Sequence, residues 1–79
     1  MILKALNTEL SFTSANTVYD AKLVRIYAAA NSVITVTSAT NPTATFTMPQ
    51  GTIEILEKLS TDTIAGSTTI KCTPVSYKN

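Results

Sequence analysis

Histidine and tryptophan are missing from this chain, and cysteine occurs once, at Cys72. Without histidine there is no imidazole to serve as the base of a Ser–His–Asp or Cys–His arrangement, and none to ligate zinc. One cysteine can neither close a disulfide within the chain nor form a Cys-x-x-Cys redox pair. A thiol nucleophile at Cys72 would have no base to activate it, so Cys72 reads as a small buried hydrophobe. An unpaired thiol also fits synthesis in a reducing compartment.

Charge is scarce too. Six Lys/Arg against five Asp/Glu leave a net charge of +1, and charged residues make up only 14% of the chain. Such a balance excludes a broad basic face for nucleic acid and a polybasic membrane patch. No apolar run approaches the ~18 residues of a membrane-crossing helix. The opening Met1-Ile2-Leu3-Lys4-Ala5-Leu6 is too short, and too soon interrupted, to read as a secretory signal. Hydrophobic residues reach 44%, which is too many for a disordered tail. With 79 residues the expectation is one small domain over residues 1–79. A chain of that size buries only roughly 60% of its unfolded surface, so association would stabilise it.

Hydroxyl side chains are abundant instead, with fifteen threonines and seven serines. Threonine is β-branched and favours extended backbone, while its hydroxyl keeps an outer face wettable. An O-glycosylated stalk is the other common home of Ser/Thr richness, but it needs dense proline and lacks recurring apolar positions. Only three prolines are present.

The apolar positions recur with period two, punctuated by turn residues. Leu10 and Phe12 alternate with Glu9, Ser11 and Thr13, and Ser14-Ala15-Asn16-Thr17 then reads as a loop. Residues 22–29 form a strand with Val24, Ile26 and Ala28 on one side and Leu23, Arg25, Tyr27 and Ala29 on the other. Ala29-Ala30-Asn31-Ser32 reads as a hairpin link into a β-branched strand over residues 32–38. Ala39-Thr40-Asn41-Pro42 is a second turn. In the strand over residues 43–48, Ala44, Phe46 and Met48 face one way and Thr43, Thr45 and Thr47 the other.

Pro49-Gln50-Gly51 is the strongest hairpin signal, with Gly51 at positive φ, leading into a return strand over residues 52–59. A helix over residues 54–59 competes with that strand, since Ile55, Leu56 and Leu59 would share a face. Ser60-Thr61-Asp62 is helix-start chemistry, but the segment from there to Gly66 is too short for more than about a turn, so a loop or 3₁₀ turn is expected. Gly66-Ser67 bends the chain into a strand over residues 68–73, and Pro74 ends it or marks an edge. The fold class expected is all-β: a small antiparallel β-sandwich or barrel of about six to seven short strands. The core expected from alternation is Leu10, Phe12, Val24, Ile26, Ile34, Val36, Phe46, Met48, Ile53, Ile55, Ile70 and Cys72.

Candidate chemistry is sparse. Asp20 with Lys22, or Glu57 with Lys58 and Asp62, contains acids and bases, but no second element is visible to shift their pKa values or place a substrate proton. Surface ion pairs, or a polar tie for the turn at Asp62, account for them better. Glu54, Glu57 and Asp62 are split between a strand and a turn, unlike the alternating oxygen ligands of a calcium loop. Tyr19, Tyr27, Tyr77, Phe12 and Phe46 could stack on bases or sugars, but no positive groove accompanies them. The expectation is no enzyme, no metal and no cofactor.

Several stretches bear a further likeness. Leu23-Val24-Arg25-Ile26-Tyr27, Phe46-Thr47-Met48-Pro49-Gln50-Gly51-Thr52-Ile53-Glu54 and Glu57-Lys58-Leu59-Ser60-Thr61-Asp62-Thr63-Ile64, with Cys72-Thr73-Pro74-Val75, together resemble small virion proteins of tailed bacteriophages, particularly phages of marine cyanobacteria. The likeness runs from about Leu23 onward and carries no catalytic motif. It implies an all-β, non-enzymatic structural protein of the virion, made in the host cytoplasm and decorating the outside of the capsid in many copies as a cement protein. Its partners would be the major capsid protein, copies of itself, or both, with no nucleic acid and no membrane. The alternative is a tail- or fibre-associated β module that binds a host surface glycan; a small adhesin-like module is a third possibility. The interface residues expected are Met1, Ile2, Leu3, Leu6, Tyr27 and Tyr77. The opening segment is either a core strand or an exposed edge that pairs with a neighbouring subunit.

Overall fold

The computed structural model describes residues 2–40 and 42–78. Eight strands follow one another: β1 (Ile2–Ala5), β2 (Leu10–Phe12), β3 (Leu23–Ala28), β4 (Ser32–Thr37), β5 (Ala44–Met48), β6 (Ile53–Glu57), β7 (Thr63–Gly66) and β8 (Ile70–Lys78). Residues 53–57 are strand, so the competing helix is not formed. No helix among the described residues is long and apolar enough to cross a membrane.

The strands build two antiparallel sheets. One has the order β1-β8-β3-β6, with β2 also on β8; the other has the order β5-β4-β7. Their inward residues meet in one core. Val24, Ile26 and Ala28 of β3 and Ile70 and Cys72 of β8 come from the larger sheet; Ile34, Met48 and Ile64 come from the smaller. The shortest extent of the fold is 19 Å, the depth expected of two sheets packed about 10 Å apart. The small all-β sandwich expected from alternation is therefore formed, with eight strands where six or seven were counted. The extra strand is β7, in a stretch expected to be a loop or a 3₁₀ turn. It places only Ile64 fully in the core, which is too little alternation to read as a strand.

The connections correct two expectations. β3 pairs with β6 and β8, while β4 pairs with β5 and β7, so residues 29–31 carry the chain between sheets and close no hairpin. Pro49-Gln50-Gly51 does the same between β5 and β6. Gly51 does have positive φ, at 81°. A tight turn can equally well leave one sheet for another, because turn chemistry sets a reversal and not the strand's partner.

Three such arches stack along one rim. The Gly51 amide donates to the Ala28 carbonyl (2.7 Å), and the Gln50 amide to Asn31 Oδ1 (2.7 Å). On the other side the Ser67 amide donates to the Val33 carbonyl (3.0 Å), and the Thr68 amide to the buried Ser32 Oγ (3.2 Å). Gly66 permits the last arch, since a Cβ there would lie 2.7 Å from the Thr68 carbonyl oxygen.

Pro74 neither ends β8 nor marks its edge: the strand runs on to Lys78. β1 and β2 run along the same side of β8, pairing Ala5 with Val75 and Leu10 with Cys72. Five steps on one chain match three on the other, so a two-residue bulge sits opposite Pro74. There the Pro74 carbonyl accepts from the Leu6 amide (2.8 Å). A proline is tolerated within a ladder where a bulge removes the need for its missing N–H.

At the opposite rim, Val18, Tyr19 and Asp20 are consecutive left-handed residues with φ of 54°, 58° and 55°. This conformation costs about 1–2 kcal/mol per residue. Burying the whole Val18 side chain returns about 1.5–3 kcal/mol, and Asn16 Oδ1 accepts from the Val18 amide at 2.7 Å. Nothing in the local sequence announces Val18 as core, because it stands outside any alternating run.

Candidate interaction surface

Alternation along each strand leaves both sheets with an outward face. On the smaller sheet that face carries Thr35 opposite Thr45, Thr37 opposite Thr63, and Val33 opposite Thr47. It bears no charge. On the larger sheet the register sets Tyr27 between Ile53 and Lys71, and Arg25 between Ile55 and Thr73. Farther along, Leu23 pairs with Glu57 and Leu3 with Tyr77. Ile53 is 48% exposed and Ile55 37%. Leu3 and Tyr77 are exposed as well.

Ile53 and Ile55 therefore correct the expected core. Their strand is apolar on both sides, so alternation alone could point either side inward. Pairing decides it: Leu56 lies opposite Val24, whose side chain is fully buried, so the Leu56 side faces the core. Glu54 shares that side opposite Ile26, and it reaches water because β6 is the last strand of its sheet. Of the other expected core positions, Val24, Ile26, Ile34, Met48, Ile70 and Cys72 are buried. Leu10, Phe12 and Phe46 are half-buried against the core, as is Val36.

The expected interface residues fall in different places. Met1 lies outside the described residues. Ile2 (68% exposed), Leu3 and Leu6 are exposed, and β1 is exposed along its whole length. The opening segment is thus an edge strand and not a core strand. Leu3 and Tyr77 are brought into direct cross-strand contact. Tyr27 shares their face but is half-buried, six residues along β8 from Tyr77 by register, or roughly 20 Å at strand spacing.

Charges on this face are few. Arg25 reaches Glu9 across β8 at 3.9 Å, an exposed pair of small energetic value. Cys72 is inert as a nucleophile at neutral pH: burial, helped by the Glu9 carboxylate, pushes its thiol up to about 12. Among the described residues the buried charged side chains are Lys58 and Asp62, at the rim of the left-handed turn. Asp62 Oδ2 accepts from the Leu59 amide (3.1 Å), and Lys58 Nζ donates to the Leu59 carbonyl (3.1 Å). Burial pulls the Lys58 pKa down, against the opposing pull of Asp62 and Asp20. These contacts tie the turn over residues 59–62. Among the described residues no enclosed pocket and no cluster of three or more His, Cys, Asp or Glu side chains is found.

No family model matches the chain, and neither a curated protein nor a solved structure matches it.

Proposed function

We propose that this chain is a non-enzymatic assembly module, acting as a structural protein that decorates and stabilises the outside of a bacteriophage capsid. The single observation that supports assembly is the outward face of the larger sheet, which exposes Leu3 with Tyr77 at its β1 edge and Ile53 with Ile55 at its β6 edge. Exposed large apolar side chains beside unpaired strand edges are a common mark of a protein contact. The specific setting, a virion, rests on the likeness of the stretches quoted above. In that setting the major capsid protein, further copies of the chain, or both cover the face. Free energy gained on attachment then stabilises the assembled shell, because only the assembled shell offers the binding site.

Cryo-electron microscopy of the source particle tests the reading. The expected result is density for the fold on the outer shell, with a copy number comparable to that of the major capsid protein. A few copies confined to the tail, together with saturable binding on a glycan array, would replace it with the fibre alternative. A chain deleted for residues 1–6 adds a second test. It should fold, because the described part of that segment contributes no buried side chain, and it should decorate particles poorly.

A further inference from the structure

β1 and β6 are the two ends of the larger sheet, and their outer backbone edges accept no pairing from any described residue. They differ in charge. β1 contains Lys4 and no acid; β6 contains Glu54 and Glu57 and no base. They also run in opposite directions, because every neighbouring pair from β1 through β8 and β3 to β6 is antiparallel. A second copy shifted sideways along the sheet, and by four residues along the strands, therefore brings its β1 antiparallel to β6 of the first copy, with like faces aligned. One register sets Lys4 opposite Glu54, Leu3 opposite Ile55, Ala5 opposite Ile53 and Ile2 opposite Leu56. In it the apolar outward residues meet one another, and the lysine meets a carboxylate on the other face.

We infer that the chain binds a second copy of itself head to tail, by addition of β1 to the β6 edge, so that the larger sheet continues from one copy into the next. The occupant follows from this complementarity of charge, direction and face. It also gives a role to β1, which is exposed on both sides because β5, β4 and β7 form a narrower layer than the sheet they cover. The contact is heterologous, so repetition yields a ring or an open filament and not a closed two-fold pair. The inference rests on the assembly reading but needs no shell. Self-association and particle binding are measured separately, and the failure of one leaves the other standing.

A lysine in an edge strand can also act in the opposite sense, as a charge that prevents pairing. Sedimentation of the purified chain over a range of concentrations at low salt separates the two. The parent should associate as concentration rises. Lys4→Glu alone and Glu54→Lys alone should each weaken association by roughly five- to thirty-fold, because an attractive cross-strand pair becomes a repulsive one. An equimolar mixture of the two variants should recover most of the parent's association, since each then meets its complement. Tighter association of Lys4→Glu would make Lys4 a guard against pairing and overturn the inference. So would a parent that stays monomeric, or a Glu54→Lys variant that behaves as the parent, which would leave pairing to β1 alone. Lys4→Gln and Glu54→Gln repeat the comparison without charge reversal if a reversed variant loses its strand signature in circular dichroism.

Discussion

The two outward faces of the sandwich obey the same alternation yet end in opposite chemistry. The β5-β4-β7 face is clothed in Thr35, Thr37, Thr45, Thr47 and Thr63, with Val33 its one exposed large apolar side chain among the described residues, and carries no charge. The β6-β3-β8-β1 face exposes Leu3, Ile53, Ile55 and Tyr77 among a few charges. Threonine satisfies two demands at once, extended backbone and wetting, so the first face is complete in a free monomer. Isoleucine meets only the first demand. A chain this poor in charge has little else to keep such a face apart from others, so the second face is the one suited to a contact.

Four experiments probe this contrast, from the largest effect to the smallest. Ile26→Ala lies beneath the apolar face and Ile34→Ala beneath the threonine face, both fully buried. Each should destabilise by about 2–5 kcal/mol in denaturant titrations. Comparable losses would show that the faces differ outside a common core; a loss confined to one would mean that the sheets do not share it. Next comes Gly66→Ala, at the rim that joins the faces. Its Cβ would press on the Thr68 carbonyl, for an expected loss of about 1–3 kcal/mol. Gly51→Ala meets no atom within 4 Å, so its cost comes from positive φ alone, about 1 kcal/mol.

Replacing Ile53 and Ile55 together by threonine would dress the apolar face like its opposite. Stability should change by less than about 1 kcal/mol, as is usual for exposed sites. Binding of a hydrophobic dye and self-association should both fall. An unchanged dye signal would locate the sticky surface elsewhere.

The last effect is nil at neutral pH. Cys72 is raised in the folded state from an ordinary value near 9 to about 12. Its contribution is therefore fully present below pH 9 and is lost as pH rises toward 12, where the unfolded chain has given up the proton that the folded chain retains. Cys72→Val should show a shallower fall in stability over that window than the parent. Equal slopes would mean that the thiol is not sequestered beneath the larger sheet.

Much of this fold is legible along the chain, and its misreadings are instructive. The alternation around Val24, Ile26 and Ala28, around Ile34, and around Ile70 and Cys72 identifies core positions that the structure buries. β-branched and hydroxyl residues favour strand throughout. The misreadings gather where side chains are silent. Pro49-Gln50-Gly51 announces a reversal but not that β6 joins β3 while β5 joins β4. Pro74 looks like a stop, and only the bulge between β1 and β2 explains why β8 continues. Val18 has no periodic neighbours and enters the core through a left-handed turn that no local signal specifies.

The candidate surface was half visible. Leu3 and Tyr77 stand out in the sequence as exposed apolar candidates, and the β1–β8 register sets them opposite each other. Alternation places Ile53 and Ile55 in the core only by default, because a strand apolar on both sides gives no sense of which side is inside.

The sequence by itself determined the all-β class, the period-two alternation, most of the core and the absence of imidazole chemistry, because all of these follow from composition and from side chains that alternate along an extended backbone. Only the tertiary structure decided which strands pair, which side of β6 faces water and that β1 lies at an open edge. Backbone hydrogen bonds join any two extended segments, and the choice among partners is made by how the two sheets close over one small core.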